Sequence, residues 1–224
     1  MTEPEPAPPP LILASSSRYR RALLERLMLP FDCVAPDIDE RARPNETPVA
    51  LCQRLALEKA RAIGQARPDA WVIGCDQVAV LDGRTIGKPG DHARAVAQLE
   101  AVSGREVMFH TALCLYQHAD QRADTLVAHT RVKFRRLERP EIETYLRMER
   151  PFDCAGSARC EGLGIALLRS IHGDDPSALV GLPLIALCAL LRKWGYPLLS
   201  AAHEARSAAP AQAGTGGTGG QQTS

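Results

Sequence analysis

Aromatic residues are scarce in this chain, 4% of 224, so an aromatic set among charged residues stands out. An excess of one charge sign is missing as well: 27 Lys+Arg against 26 Asp+Glu leave +1. That balance excludes the broad basic field of a nucleic-acid binder and confines any anion site to a local cluster. No run reaches the roughly 20 apolar residues that span a bilayer. The longest, Ala178 to Leu191, is broken by Gly181 and Pro183. Met1 to Pro10 has neither the basic nor the apolar region of a secretory signal. Cys33, Cys52, Cys75, Cys114, Cys154, Cys160 and Cys188 form no CxxC and no zinc-ligand spacing. Reduced thiols in a cytoplasmic protein are therefore expected. The phosphate-loop pattern GxxxxGK[ST] is also absent.

What is present is a folded unit between two biased ends. Residues 1–10 are proline-rich, and residues 200–224 are rich in Ala, Gly, Thr and Gln. Both are expected to be disordered, leaving one domain over residues 11–199. Leu11–Ala14 reads as a buried strand, followed by the turn Ser15–Ser17 and a helix from Arg18. A strand over Phe31–Ile38 leads into the acidic turn Asp37–Glu40. Thr47 and Pro48 form a cap and first turn for a helix running to Ile63. Ala70–Leu81 is an apolar strand, turned at Asp82-Gly83 into a short return, Arg84–Gly87. Helices are expected over Asp91–Val102, Arg139–Glu149 and Leu182–Trp194, and paired strands over Glu106–Tyr116 and Thr125–Phe134. Gly162–Ile171 is strand-like. Alternating helices and strands with inserted hairpins give a mixed α/β class.

Asp76 interrupts the apolar strand. A buried carboxylate needs a cation, a metal or a hydrogen-bond network. A structural salt bridge or capping role would satisfy it too. Gln77 beside it and Gly74, which permits close backbone approach, favour site chemistry, as metal ligand or proton acceptor. Ser15–Ser17 offer hydroxyls and helix N–H groups to phosphate, with Arg18, Arg20 and Arg21 close by. Taken alone, an ordinary cap with exposed arginines explains that stretch better. Lys88 in its turn, Lys59 on a helix and Glu40 in the acidic turn all read as solvated side chains by themselves. Glu161 lies in a stretch of small residues suited to close ligand approach.

Together these segments resemble the Maf family of nucleoside triphosphate pyrophosphatases. The motifs stand in family order: LILASSSRYRRALL, DIDE, RLALEKA, IGCDQVAVLDGRTIGKP, CAGSARCEGLGI and LVGLPLIAL. They cover roughly Leu11 to Trp194. Asp76-Gln77-Val78, Glu161-Gly162 and the LVGLPLIAL stretch look like the 7-methyl-GTP branch rather than the dTTP/UTP branch.

The resemblance implies a mixed sheet with flanking helices and a central cleft, related to inosine triphosphate pyrophosphatases. It implies hydrolysis of a small-molecule nucleotide to the monophosphate and pyrophosphate with a divalent metal, Mg²⁺ or Mn²⁺. It makes Asp76 the proton acceptor and places Glu40 in the metal and catalytic set. Ser15, Ser17, Arg20, Lys59 and Lys88 line the phosphate side, and Tyr19, Gln77 and Glu161 go with base choice. A homodimer is the implied assembly, and neither nucleic acid nor membrane is an expected partner. The same chemistry on dTTP or UTP, or a septum-formation regulator acting through nucleotide binding, are the alternatives. An aromatic face attracts the cationic 7-methylguanine ring, and a carboxylate accepts from its N1–H and 2-amino groups. Arg18 stands where the family commonly has Pro. Tyr19 stands where the branch has Trp, the stronger cation–π partner.

Overall fold

The apolar run LILA is buried at all four positions, as a strand covered on both faces must be. It forms the inner strand of a mixed sheet in a computed structural model that describes residues 8–208. The strands are β1 (Leu11–Ala14), β2 (Phe31–Val34), β3 (Trp71–Leu81), β4 (Arg84–Ile86), β5 (Glu106–Gln117), β6 (Arg122–Phe134) and β7 (Leu168–His172). The helices are α1 (Arg18–Glu25), α2 (Pro48–Gly64), α3 (His92–Val102), α4 (Arg139–Glu149), α5 (Leu184–Lys193) and α6 (Leu198–Ala208). The sheet order is β2-β1-β3-β5-β6-β7, with β4 on the far end of β3. β1 runs parallel to β2 and β3, and the remaining pairs are antiparallel.

β3 is longer than either neighbour on its β1 side. β1 pairs with Trp71–Gly74 and β4 with Ala79–Leu81. Between them, Cys75–Val78 pair with β5 alone. This window of open strand edge holds Asp76 and Gln77, and the serine turn leaves β1 beside it.

The pleat sends alternate residues to opposite faces. Val72, Val78, Ala112, Cys114 and Tyr116 pack under α2. On the other face Trp71, Ile73, Cys75, Leu113 and Leu115 meet residues of α1, α5 and α6. Farther along that face Ala79, Val107 and Phe109 meet α3 and α4. Thr47 caps α2 by accepting from Ala50 N, and Asp91 caps α3 by accepting from Arg94 N.

Several boundaries move. β2 ends at Val34, four residues before Ile38. β5 extends to Gln117 and β6 starts at Arg122, so the polar loop is shorter than its composition implied. Gly162–Ile171 divides into a 3-10 helix, Leu163–Leu167, and the start of β7. α5 begins two residues after Leu182.

The expectation of disorder from residue 200 is corrected by α6. Ala201 and Ala202 are buried beside Trp71, Trp194 and Tyr196. Alanine is the best helix former, and its small side chain fits against an aromatic trio. Trp71 meets Trp194 edge-on with ring centres 5.1 Å apart and Tyr196 at 5.8 Å. At the other end, Pro10 O accepts from Trp71 N at 2.9 Å, so the β1–β3 ladder begins inside the proline-rich segment. The rest of both end expectations, residues 1–7 and 209–224, lies outside the described residues. Among the described residues no single helix is long and apolar enough to cross a membrane. No cysteine is in a disulfide.

Candidate active site

Asp76 points to the α2 face, where Lys59 Nζ donates to its Oδ1 at 2.7 Å. The same ammonium lies 2.9 Å from Glu40 Oε1. Asp76 and Lys59 are 7% and 5% exposed, whereas the Glu40 side chain is 57% exposed. A single ammonium thus joins an inner and an outer carboxylate, with one negative charge in excess. The reading of Lys59 as a solvated side chain is corrected. It lies on the inner face of α2, and α2 sits unusually close to the sheet. A Cβ on Gly74 would stand 2.0 Å from Ala56 O, so only glycine lets the helix come down onto β3 at that point.

Glu40 is carried by the long segment between β2 and α2, and ion pairs tie that segment to α2. Arg54 meets Glu46 at 2.6 Å and Glu58 at 2.8 Å. It also donates to Arg41 O at 3.0 Å. Arg43 meets Glu58 at 2.9 Å, and Arg41 grips Asp39 through two nitrogens. The Arg54 guanidinium holds the Glu46 carboxyl down at about 2, and Arg41 does the same for Asp39, also at about 2. Asp39 is thereby committed to Arg41, and Glu40 is left for Lys59.

Ser15 is buried and its Oγ accepts from Ser17 N at 3.1 Å. Ser17 caps α1, accepting from Arg20 N at 3.4 Å. Their place is set by register: Ala14 pairs with Gly74, two residues before Asp76. Arg20 Nε donates to Gly181 O at 2.9 Å, and Cys75 Sγ donates to the same oxygen at 2.9 Å. Burial pushes the Cys75 thiol up to about 11, which leaves it a packing group rather than a nucleophile.

Gln77 faces the opposite side of the sheet from Asp76. Its Nε2 lies 2.9 Å from Thr111 Oγ1 and 3.0 and 3.1 Å from the carbonyls of Ala178 and Leu179. Thr111 also donates to Ala178 O at 3.0 Å. Gln77 therefore anchors the Ala178–Gly181 turn to β3. Asp175 and Ser177 support the turn from below: Asp175 Oδ2 accepts from Ile185 N and Ala186 N, and Ser177 Oγ accepts from Leu184 N. These bonds satisfy the free N–H groups at the start of α5. Sequence reasoning missed Thr111, Asp175 and Ser177. The available signals were a His-Thr pair inside an apolar strand and a DPS cap sequence ahead of an apolar helix.

Tyr19 has two guanidiniums near its ring, Arg18 at 4.8 Å and Arg159 at 5.4 Å from the centre. Arg18 also donates to the phenol oxygen at 2.7 Å. Arg159 in turn is 3.5 Å from Glu161. Tyr19 and Glu161 are thus linked through Arg159, a residue sequence reasoning did not single out. Lys88 stands exposed in the turn before α3. Among the described residues no hydrogen bond or ion pair joins it to the other site residues.

The donors available to a metal are the carboxylates of Glu40 and Asp76. Among the described residues no group of three or more His, Cys, Asp or Glu could hold one. Two hard oxygen donors fit Mg²⁺ or Mn²⁺ as those ions bind with phosphate ligands, through one or two carboxylates plus substrate oxygens.

The family model described as Maf-like protein matches residues 10–194. A 7-methyl-GTP pyrophosphatase of Burkholderia pseudomallei (strain 1710b) is 60% identical over 198 residues, 87% of this chain and 92% of that protein. One from Nitrosococcus oceani is 55% identical over 199 residues, 89% of this chain and 100% of its own length. One from Ralstonia nicotianae is 55% identical over 192 residues, 86% and 99% of the two chains. A match across most of the folded residues, with relatives this similar, shows that the chain belongs to the Maf family.

Proposed function

We propose that this chain is a nucleoside triphosphate pyrophosphatase that hydrolyses 7-methyl-GTP to the monophosphate and pyrophosphate. The observation that carries the reaction is the buried Lys59 shared by Asp76 and Glu40 at an open strand edge. A water oxygen attacks the α-phosphorus, Asp76 takes the water proton, and the bond to the β-phosphate oxygen breaks as pyrophosphate leaves. Lys59 holds Asp76 in place and offers positive charge to the phosphate oxygens, where charge builds in the transition state. Arg20 and the hydroxyls of Ser15 and Ser17, whose oxygens accept from the main chain and whose O–H groups remain to donate, hold the phosphates from the β1 side, and Lys88 reaches them from its turn. Glu40 and Asp76 would hold a divalent cation, Mg²⁺ or Mn²⁺, which supplies Lewis-acid polarisation of a phosphate oxygen when bound.

The choice of base rests on Tyr19 and Glu161, with Gln77 holding the turn whose Gly181 carbonyl accepts from Arg20, the neighbour of Tyr19. The ring that already attracts two guanidiniums suits a cationic base. A carboxylate suits the N–H edge of guanine. The names of the relatives at 55–60% identity support the same substrate. Purified protein with Mg²⁺ or Mn²⁺ is expected to release pyrophosphate faster from 7-methyl-GTP than from GTP, dTTP or UTP. Equal or faster release from dTTP or UTP overturns the choice of base and leaves the reaction standing. Silence on every nucleotide with both metals favours the binding-only regulator.

A further inference from the structure

Arg159 reaches both side chains to which the base is assigned. Its guanidinium carbon lies 5.4 Å from the centre of the Tyr19 ring, and its Nε is 3.5 Å from Glu161 Oε1. In the same conformation Nη1 donates to Glu149 Oε2 at 3.2 Å, a contact that can keep the head once it leaves Tyr19 and Glu161. Nε is buried, and its approach to Glu161 is an ion pair without hydrogen-bond geometry, so among the described residues it has no hydrogen-bond partner. An unpaired buried donor marks a group that the packing does not fully satisfy. The main chain beneath it is held firmly. Tyr145 Oη accepts from Arg159 N at 2.9 Å. A Cβ on Gly164 would stand 2.5 Å from Arg159 O. Glu149 also accepts from Leu163 N at 2.7 Å, so it stays put while the arginine side chain turns.

The chemistry of the two groups matches. The N1, C2, N2 and N3 atoms of guanine make a planar guanidine unit whose N–H bonds point toward a carboxylate. 7-Methylation adds the positive charge. An arginine head is the same planar fork with the same charge. At Tyr19 and Glu161 it places a cation near the aromatic ring and within ion-pair reach of the carboxylate, where the base would lie.

We propose that Arg159 is an internal stand-in for the base. It occupies the site between Tyr19 and Glu161 in the free enzyme and, when the nucleotide enters, gives up both while keeping the bond to Glu149 that it already makes. The inference rests on the assignment of Tyr19 and Glu161 to base recognition. A ligand that must expel a resident group binds more weakly by the fraction of molecules in which the site is open. Arg159 therefore sets the KM of the enzyme without touching the reacting phosphate.

The test is steady-state kinetics of Arg159→Ala and Arg159→Met, the second keeping the packed stem, with thermal melting to confirm that each folds. KM for 7-methyl-GTP and for GTP is expected to fall by a similar factor, about three- to tenfold, with kcat little changed. Guanidinium chloride, far below denaturing concentrations and against a sodium chloride control, is expected to compete with nucleotide in Arg159→Ala more strongly than in the wild type. An unchanged or raised KM in the folded variants overturns the proposal. So does a fall confined to 7-methyl-GTP, which would assign Arg159 a charge effect alone. Failure of the underlying reading looks different: the wild type then shows no preference for 7-methyl-GTP, and Glu161→Gln leaves KM unmoved.

Discussion

Asp76 has a charged partner toward α2 and a strand edge without a neighbour toward β1. The ion pair makes its burial tolerable, and the open edge is where a substrate would reach it under the proposed function. Asp76→Asn keeps an oxygen that can accept from Lys59 but removes the base. Turnover is expected to fall about 100- to 10,000-fold, while the melting temperature stays near that of the wild type. Unchanged kcat in that variant rules Asp76 out as the proton acceptor. The sequence showed that Asp76 needed a partner. It did not show which cation supplies it, because Lys59 is seventeen positions earlier in the chain and its neighbours Glu58 and Ala60 carry no sign of burial.

Two devices set the height and the reach of α2 over the sheet. Gly74 is the first. With alanine there, the new methyl would collide with the Ala56 carbonyl, and backbone cannot yield as a side-chain tip can. Gly74→Ala is expected to cost about 1–3 kcal/mol or more and to lower kcat by moving Lys59 away from Asp76. Denaturant melts and a kcat comparison check the two halves separately. The Arg54 network is the second. The Glu46 carboxyl is held at about 2 against an ordinary 4.5. Its contribution to stability is therefore complete above pH 4.5 and is lost as the pH falls toward 2. The segment carrying Glu40 is expected to lose amide protection, measured against the intrinsic exchange rate at each pH, over that range before the sheet does. Glu46→Gln should flatten the dependence; an unchanged slope would assign it to other carboxylates. Residue periodicity located α2 and its cap correctly. The network was not legible, since Arg41, Arg43, Glu46, Arg54 and Glu58 look like any solvated charges until the segment folds back on the helix.

At the scale of the molecule, α2 covers one face of the sheet, and α1, α5 and α6 cover the other near the β1 end. α6 closes the aromatic cluster of Trp71, Trp194 and Tyr196. A chain ended at residue 199 is expected to melt below one ended at residue 208, because it loses the buried contacts of Ala201 and Ala202. Equal melting temperatures would show that α6 adds nothing to the core. The Ala178–Gly181 turn joins distant parts: Gln77 on β3, Thr111 on β5 and Arg20 on α1 all bind its carbonyls. Movement of that turn would reach Arg20, Gln77 and Thr111 together.

The amino-acid sequence by itself determined the mixed α/β class, the approximate course of nearly every element and the family, because periodicity, caps and short motifs are local properties. It also marked Asp76, since a carboxylate in an apolar run is costly wherever the run goes. Only the tertiary structure decided what surrounds each marked residue. Lys59 became a buried bridge, Gln77 an anchor for a turn, and Tyr19 and Glu161 neighbours through Arg159. Those roles depend on which face of β3 a side chain leaves and which remote segment packs there. Residues far apart in the chain meet only when the sheet brings them together.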